Sequence, residues 1–121
     1  MALVSVLAFT AFANTPKEPT IPQDIPSAIS YYADFYNVSE ASLIRTLNCE
    51  SGMKQTYENG YPVLGEHQEI GIAQFMPRTF YGNALKMGIT EPNILDPIQQ
   101  IEVMSWMWSR GKQSAWTCYN R

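Results

Sequence analysis

The sequence lacks the features that several large classes of protein require. Its 121 residues carry a net charge of −3 and contain no run of basic residues, which argues against nucleic acid or an anionic membrane surface as the main partner. His67 is the only histidine, and no cysteine or carboxylate stands at ligand spacing from it, so no metal site is expected. There is no glycine-rich phosphate loop and no Ser-His-Asp or Cys-His arrangement, so the sequence predicts neither a cofactor nor a nucleophilic triad.

The sequence does contain enough apolar material for one folded core. Hydrophobic residues make up 45% of the chain and charged residues 16%, which predicts a single ordered domain. Aromatic residues make up 12%, a supply that suits core packing or stacking on sugar rings.

The N-terminal residues differ from the rest of the chain. Residues 1–13 form an apolar run that ends in Ala11-Phe12-Ala13 and resembles a signal peptide, and the run is too short to span a bilayer as a helix. Residues 14–23 contain three prolines and predict an extended linker. The folded domain is therefore expected over residues 24–121 of an exported chain, without stable membrane insertion.

The spacing of apolar residues predicts a mainly α-helical domain with four helices, over about residues 25–36, 40–51, 77–87 and 97–110. Ser39 is expected to cap the second helix and Gly52 to stop it, and Asp96-Pro97 is expected to open the fourth. Residues 53–69 have turn-forming pairs and no sustained period, so they predict a long irregular loop or a short hairpin between the second and third helices.

An acid occupies a position where helical periodicity calls for an apolar residue. Leu43, Leu47 and Glu50 are spaced i, i+4, i+7 and share one face of the second helix. Glu50 also lies in the last turn, where free carbonyl groups disfavour an anion. Burial and the helix dipole both predict a raised pKa for Glu50, as a general acid requires. A merely solvated glutamate is the alternative; the polar loop and the lone amide of Gln74 in "GIAQFMP" favour a site.

Two cysteines, Cys49 and Cys118, lie near opposite ends of the predicted domain. In an exported protein such a pair indicates a disulfide, and in a cytosolic one it indicates two buried thiols. Trp116 stands close to Cys118 and is expected to pack on a disulfide if one forms.

The ordered combination of these motifs resembles a known family. Glu50-Ser51, a loop, "GIAQFMP" at residues 71–77 and then Asp96-Pro97 at a helix start resemble the lytic transglycosylase (SLT-type) domain of the lysozyme superfamily. "CES", "ENGY" and "AWTC" are also similar to the resuscitation-promoting factors, which are small exported peptidoglycan hydrolases. The resemblance covers about residues 25–118. It implies a lysozyme-like fold and a disulfide from Cys49 to Cys118.

The resemblance implies an enzyme that cuts the β-1,4 bond between N-acetylmuramic acid and N-acetylglucosamine in peptidoglycan glycan strands. Glu50 would protonate the glycosidic oxygen and then act as the base, while the sugar's own 6-hydroxyl attacks and gives a 1,6-anhydro product. The candidate substrate-binding residues are Ser51, Gln74, Met76, Tyr57 and Tyr61. The two tyrosines flank Asn59-Gly60, where they would either stack on sugar rings or hold the loop against the domain.

Two alternatives stay open at this point. A hydrolytic muramidase would need a second carboxylate about 5 to 9.5 Å from the first, and the loop offers Glu58, Glu66 and Glu69. A lysozyme-fold module that binds saccharide without cutting it is the other. The expected location is secreted, periplasmic or virion-associated, and a larger cell-wall, phage or secretion assembly is a further partner to consider.

Overall fold

A computed structural model describes residues 20–121; the predicted signal peptide and residues 14–19 of the predicted linker lie outside the described residues. The helices are α1 (Ile25–Tyr36), α2 (Glu40–Ser51), α3 (Pro77–Lys86) and α4 (Pro97–Ser109). Two short 3-10 helices follow, Gln113–Ala115 and Thr117–Asn120. The prediction of a small, mainly α-helical domain is confirmed, and each helix boundary lies within two residues of its predicted place.

A side-chain cap at one end and a glycine at the other explain where α2 begins and ends. The Ser39 hydroxyl accepts a hydrogen bond from the Ser42 N–H at the start of α2, which satisfies a donor that the helix itself cannot. Gly52 ends α2 with a left-handed φ of 67°, a conformation that glycine adopts without steric cost. The end of α2, and therefore Glu50, is fixed by these local signals.

The core lies where α1 packs extensively on α4 and α2 packs on α1. Leu43, Leu47, Phe80, Ile101 and Met104 are fully buried there. Two residues of this core, Leu43 and Leu47, lie on the α2 face that also carries Glu50, so the packing of α2 directs that face toward the body of the domain.

The segment between α2 and α3 is irregular, as predicted. Within it the structure shows only isolated bridges, at Thr56–Pro62, Leu64–Ile70 and Ile70–Phe75. The Gly65 N–H donates to the Glu69 carbonyl over 2.8 Å and closes a tight turn. The chain thus folds back on itself before it enters residues 71–76, which lie beside the end of α2.

Two buried glutamine side chains hold this loop against the helices. The Gln100 amide oxygen accepts from the Ala73 N–H over 2.9 Å, and its nitrogen donates to the Ile70 and Ile94 carbonyls over 3.1 and 2.6 Å. The Gln55 oxygen accepts from the Ile72 N–H over 2.9 Å. A Cβ on the residue at position 71, a glycine with a φ of 80°, would collide with both amides. Buried backbone groups need such partners. The two glutamine side chains therefore satisfy backbone groups of the loop that strand pairing would satisfy in a sheet.

The contribution of Gln100 can be measured with Gln100→Met, which keeps the volume of the side chain and removes its hydrogen bonds. We expect the free energy of unfolding to fall by about 2 to 3 kcal/mol, because buried backbone groups lose their partners. Urea denaturation followed by circular dichroism measures the loss. Gln99→Met is the control, since Gln99 makes one exposed bond, to the Asn93 N–H. A loss no larger than that of the control would show that the Gln100 hydrogen bonds do not stabilise the loop.

No helix in residues 20–121 is long and apolar enough to cross a membrane.

Candidate active site

Glu50 lies on a cleft of about 180 Å³ that four segments of the chain enclose. They are the end of α2, the loop, the start of α3 and the segment after α4. The residues that line the cleft are Glu50, Glu69, Gln74, Phe75, Met76, Thr79, Ala115, Trp116 and Thr117. Two of the predicted substrate-binding residues, Gln74 and Met76, are therefore brought together with Glu50.

The surroundings of Glu50 keep its carboxyl group protonated to a higher pH than usual. Burial is the main cause of the raised pKa of Glu50, and the negative charge of Glu69 adds to it. The Cys118 backbone N–H, which donates to the Glu50 Oε1 over 3.3 Å, and the charge of Arg121 both oppose the shift without cancelling it. The prediction of a raised pKa for Glu50 is confirmed, and burial is its largest cause.

A disulfide joins the two sides of this site. Cys49 and Cys118 are bonded, with a Cα–Cα distance of 5.8 Å, so the predicted disulfide is present. Cys49 precedes Glu50 directly and Cys118 is the residue whose N–H contacts the Glu50 carboxyl group. The bond therefore holds that N–H donor next to the carboxyl group.

Trp116 forms a wall of the cleft. Its indole N–H donates to the Ala73 carbonyl over 2.8 Å, and its ring meets the rings of Phe75 and Trp108 edge to face, at centroid distances of 5.5 and 6.3 Å. Trp116 packs on Phe75 and Trp108 and lines the cleft, and its expected contact with the disulfide stays a prediction. Trp116 thereby joins the C-terminal segment to the loop.

The far side of the cleft carries an amide and a second carboxylate. Gln74 has a left-handed φ of 54°, and its amide nitrogen donates to the Gly71 and Val63 carbonyls over 2.9 and 3.3 Å. The Glu69 carboxylate accepts from the His67 N–H over 2.6 Å. A Cβ at Gly65 would collide with the Gln74 amide oxygen and come within 2.9 Å of Glu69 Oε2. A residue with a Cβ at position 65 would require the ends of these two side chains to shift.

The family model of the transglycosylase SLT domain matches residues 27–119, which include every residue that lines the cleft. The chain belongs to the transglycosylase SLT domain family. The resemblance drawn from the motifs is thereby confirmed, and membership supports transglycosylase action on peptidoglycan at the level of the family. No curated protein and no solved structure matches the chain.

Three residues that the sequence suggested for substrate binding lie outside the cleft of this SLT domain. The Ser51 hydroxyl donates to the Ile72 carbonyl over 2.7 Å and accepts from the Lys54 N–H over 3.2 Å. Ser51 therefore fixes the loop relative to Glu50. Tyr57 and Tyr61 are exposed, Tyr61 by 70%, and neither lines the cleft. Contact of these three residues with substrate stays a prediction.

Of the loop carboxylates considered for a second catalytic role, one reaches the site of the SLT domain. Glu69 lines the cleft, whereas Glu58 and Glu66 are exposed and do not. His67 is exposed as well, and residues 20–121 contain no group of three His, Cys, Asp or Glu side chains that could hold a metal ion.

The sequence did not indicate several residues on which the site of this SLT domain depends. Gln55 and Gln100 resemble surface residues in the sequence, because nothing local marks a glutamine whose partners lie 17 and 27 positions away. The position of Trp116 two residues before Cys118 predicted packing on a disulfide but not a place in the lining of the cleft. Its contact with Ala73, 43 positions earlier, is a feature of the tertiary structure alone.

Proposed function

We propose that this SLT domain cuts the β-1,4 bond between N-acetylmuramic acid and N-acetylglucosamine, with Glu50 as its single general acid and base. The observation that carries the proposal is one half-buried carboxyl group with a raised pKa that lines the cleft. A general acid must be protonated near the working pH and still be able to lose its proton. Burial of Glu50 supports the first condition, and the Cys118 N–H stabilises the carboxylate that the second produces.

The reaction runs in two steps that use the same carboxyl group. Protonated Glu50 donates its proton to the glycosidic oxygen, and the bond from that oxygen to the anomeric carbon breaks. The Glu50 carboxylate then takes the proton of the 6-hydroxyl of the N-acetylmuramic acid unit as its oxygen attacks the anomeric carbon. The products are a free N-acetylglucosamine hydroxyl and a 1,6-anhydro ring, with Glu50 protonated again and no water consumed.

The remaining cleft residues suit a sugar ligand. Both hydrogen bonds of the Gln74 amide come from its nitrogen, which leaves its carbonyl oxygen to accept a bond from a sugar hydroxyl. Met76, which is 44% exposed, supplies most of the apolar surface, with small contributions from the buried rings of Phe75 and Trp116, and the less polar face of a sugar ring packs against such a surface.

Glu69 is the reason to keep hydrolysis as a second candidate. A two-carboxylate hydrolase activates water with its second acid, and Glu69 is on the cleft. Mass spectrometry of digested peptidoglycan separates the two reactions, since hydrolytic fragments are heavier by one water. Anhydro-terminated fragments are expected; fragments with reducing ends would overturn the single-acid mechanism.

Glu69→Gln tests the same question through the pH profile. A general acid loses activity as pH rises through its pKa, and the Glu69 charge raises the pKa of Glu50. Removal of that charge should lower the pKa of Glu50 and move the alkaline limb of kcat/KM to lower pH. The rate at the optimum should stay within about threefold, whereas loss of a catalytic base would cost about 10²-fold or more. Glu66→Gln, an exposed neighbour, is the matched control.

We also propose that the domain works outside the cytoplasm, either secreted, periplasmic or carried on a virion. The disulfide supports this location, because such bonds persist in oxidising compartments. Participation in a larger cell-wall, phage or secretion assembly is part of the same proposal.

Clearance of a turbid cell-wall suspension by the oxidised protein is expected; a module that only binds saccharide would leave the turbidity unchanged.

A further inference from the structure

A second concavity lies between α1 and α4 and shares no lining residue with the cleft. Its volume is about 830 Å³, within the range typical of ligand sites. We call it the aromatic groove, and its principal residues are Tyr31, Tyr32, Phe35 and Tyr36 of α1, with Asp96 and Glu102 from the cap and body of α4. The function proposed for the cleft makes no use of it.

The α1 side of the aromatic groove is a set of paired aromatic rings. Tyr31 stacks on Phe35 at a centroid distance of 6.1 Å, and Tyr32 stacks on Tyr36 at 6.3 Å. Phe35 is 65% exposed, an unusual place for a large apolar ring. The faces of aromatic rings carry partial negative charge and attract cations.

Among residues 20–121, the lining of the groove contains carboxylates and no lysine, arginine or histidine. Asp24 bonds to Ser27, and Asp96 caps α4 through the Ile98 N–H. Glu102 is different: only burial and the charge of Asp96 act on its pKa, and both raise it. No donor or cation within residues 20–121 offsets the cost of ionising this half-buried carboxyl group, so a ligand cation would be stabilised beside it.

A cation fits this chemistry better than a neutral sugar does. A sugar hydroxyl donates a hydrogen bond to a carboxylate without neutralising its charge, whereas an ammonium group neutralises the charge and is attracted by the aromatic rings as well. In peptidoglycan such ammonium groups belong to the diamino acid of the stem peptides. We propose that the aromatic groove binds the free side-chain ammonium of a peptidoglycan stem peptide. This identification of the ligand rests on the function proposed for the cleft.

The groove would then distinguish two states of the wall. A stem peptide whose side-chain amine has been acylated in a cross-link carries a neutral amide there, while one whose amine has not reacted keeps its ammonium group. The groove binds the peptide with the ammonium group more tightly, so the domain is held longer on strands whose peptides have a free amine.

Calorimetric titration of the full chain carrying Glu50→Gln tests the groove without any need for cleavage. The probes are a synthetic stem tetrapeptide with a free side-chain amine and the same peptide acetylated at that amine. The free amine should bind about tenfold more tightly, the value of one charge-assisted contact. Glu102→Gln should remove most of that difference and leave the part that the rings contribute, and Phe35→Ala should weaken binding of the free amine about two- to fivefold.

Glu91→Gln is the matched control, because Glu91 is exposed and lies outside the groove, and it should bind both peptides as the parent does. Equal affinity for the two peptides, or an unchanged difference in Glu102→Gln, would overturn the proposal. Displacement of the free amine by peptide-free glycan would overturn it in favour of a sugar site. Failure of the wild-type chain to cut peptidoglycan would remove the proposed function and leave the binding result standing.

Discussion

Glu50→Gln should reduce the rate of peptidoglycan cleavage at least about 10²-fold, which is the low end of what general acid catalysis contributes. The amide keeps the size of the side chain and can still meet the Cys118 N–H, but it has no proton of suitable acidity to give. Release of soluble fragments from purified cell wall, measured over a range of protein concentrations, gives the ratio of the rates. The loss should appear in kcat, because the amide still fills its place in the cleft.

Glu58→Gln is the control for this experiment, since it removes the same charge from an exposed position outside the cleft. It should cut at the parent rate. Both variants should unfold at a temperature no lower than that of the parent, so that any loss is chemical. A Glu50→Gln chain that cleared cell wall as fast as the parent would remove Glu50 from the mechanism.

Removal of the disulfide should have the largest effect on stability. Cys49 and Cys118 are 69 positions apart, and the chain-entropy model values a closed loop of that length at roughly 4 kcal/mol. The double variant Cys49→Ala, Cys118→Ala should lose about that amount, a large share of a small domain's net stability. Its melting temperature should drop by at least about 15 °C. Differential scanning calorimetry against the oxidised parent gives the change.

The same variant should also cut more slowly at temperatures where it stays folded. The bond holds Cys118 beside Glu50, and the residues just before it form a wall of the cleft. The parent reduced with dithiothreitol is the control, because it also lacks the disulfide but keeps both cysteine side chains. A double variant that melts within about 3 °C of the oxidised parent would show that the loop entropy is recovered elsewhere.

The helices and Glu50 could be predicted because the information that sets them is local. The cap at Ser39, the stop at Gly52 and the misplaced acid between Leu47 and the end of α2 all lie within fourteen residues of sequence. The cap and the stop are local preferences of the backbone, and the acid is a polar residue at a position where the helical spacing calls for an apolar one. The raised pKa of Glu50 followed from the same pattern, since the face that carries Glu50 is the face that α2 buries.

The rest of the site depends on contacts between distant parts of the chain. Tyr57 and Tyr61 are exposed and outside the lining of the cleft, a placement that the local sequence does not reveal, and their contact with substrate stays a prediction. Nothing in the sequence around Gln100 indicates that its side chain forms hydrogen bonds with the backbone of the loop. The aromatic groove is equally hidden, because α1 and α4 are separated by sixty residues and meet only in the folded domain.

The bond between Cys49 and Cys118 has a consequence for the order of events during synthesis. A ribosome that has just completed α2 has already made Glu50, but the opposite wall and the N–H donor at position 118 come almost seventy residues later. A nascent chain therefore carries the acid without a cleft. The cleft is completed only after translation has passed residue 118, and an oxidant then fixes the Cys118 N–H beside Glu50 by joining the two thiols.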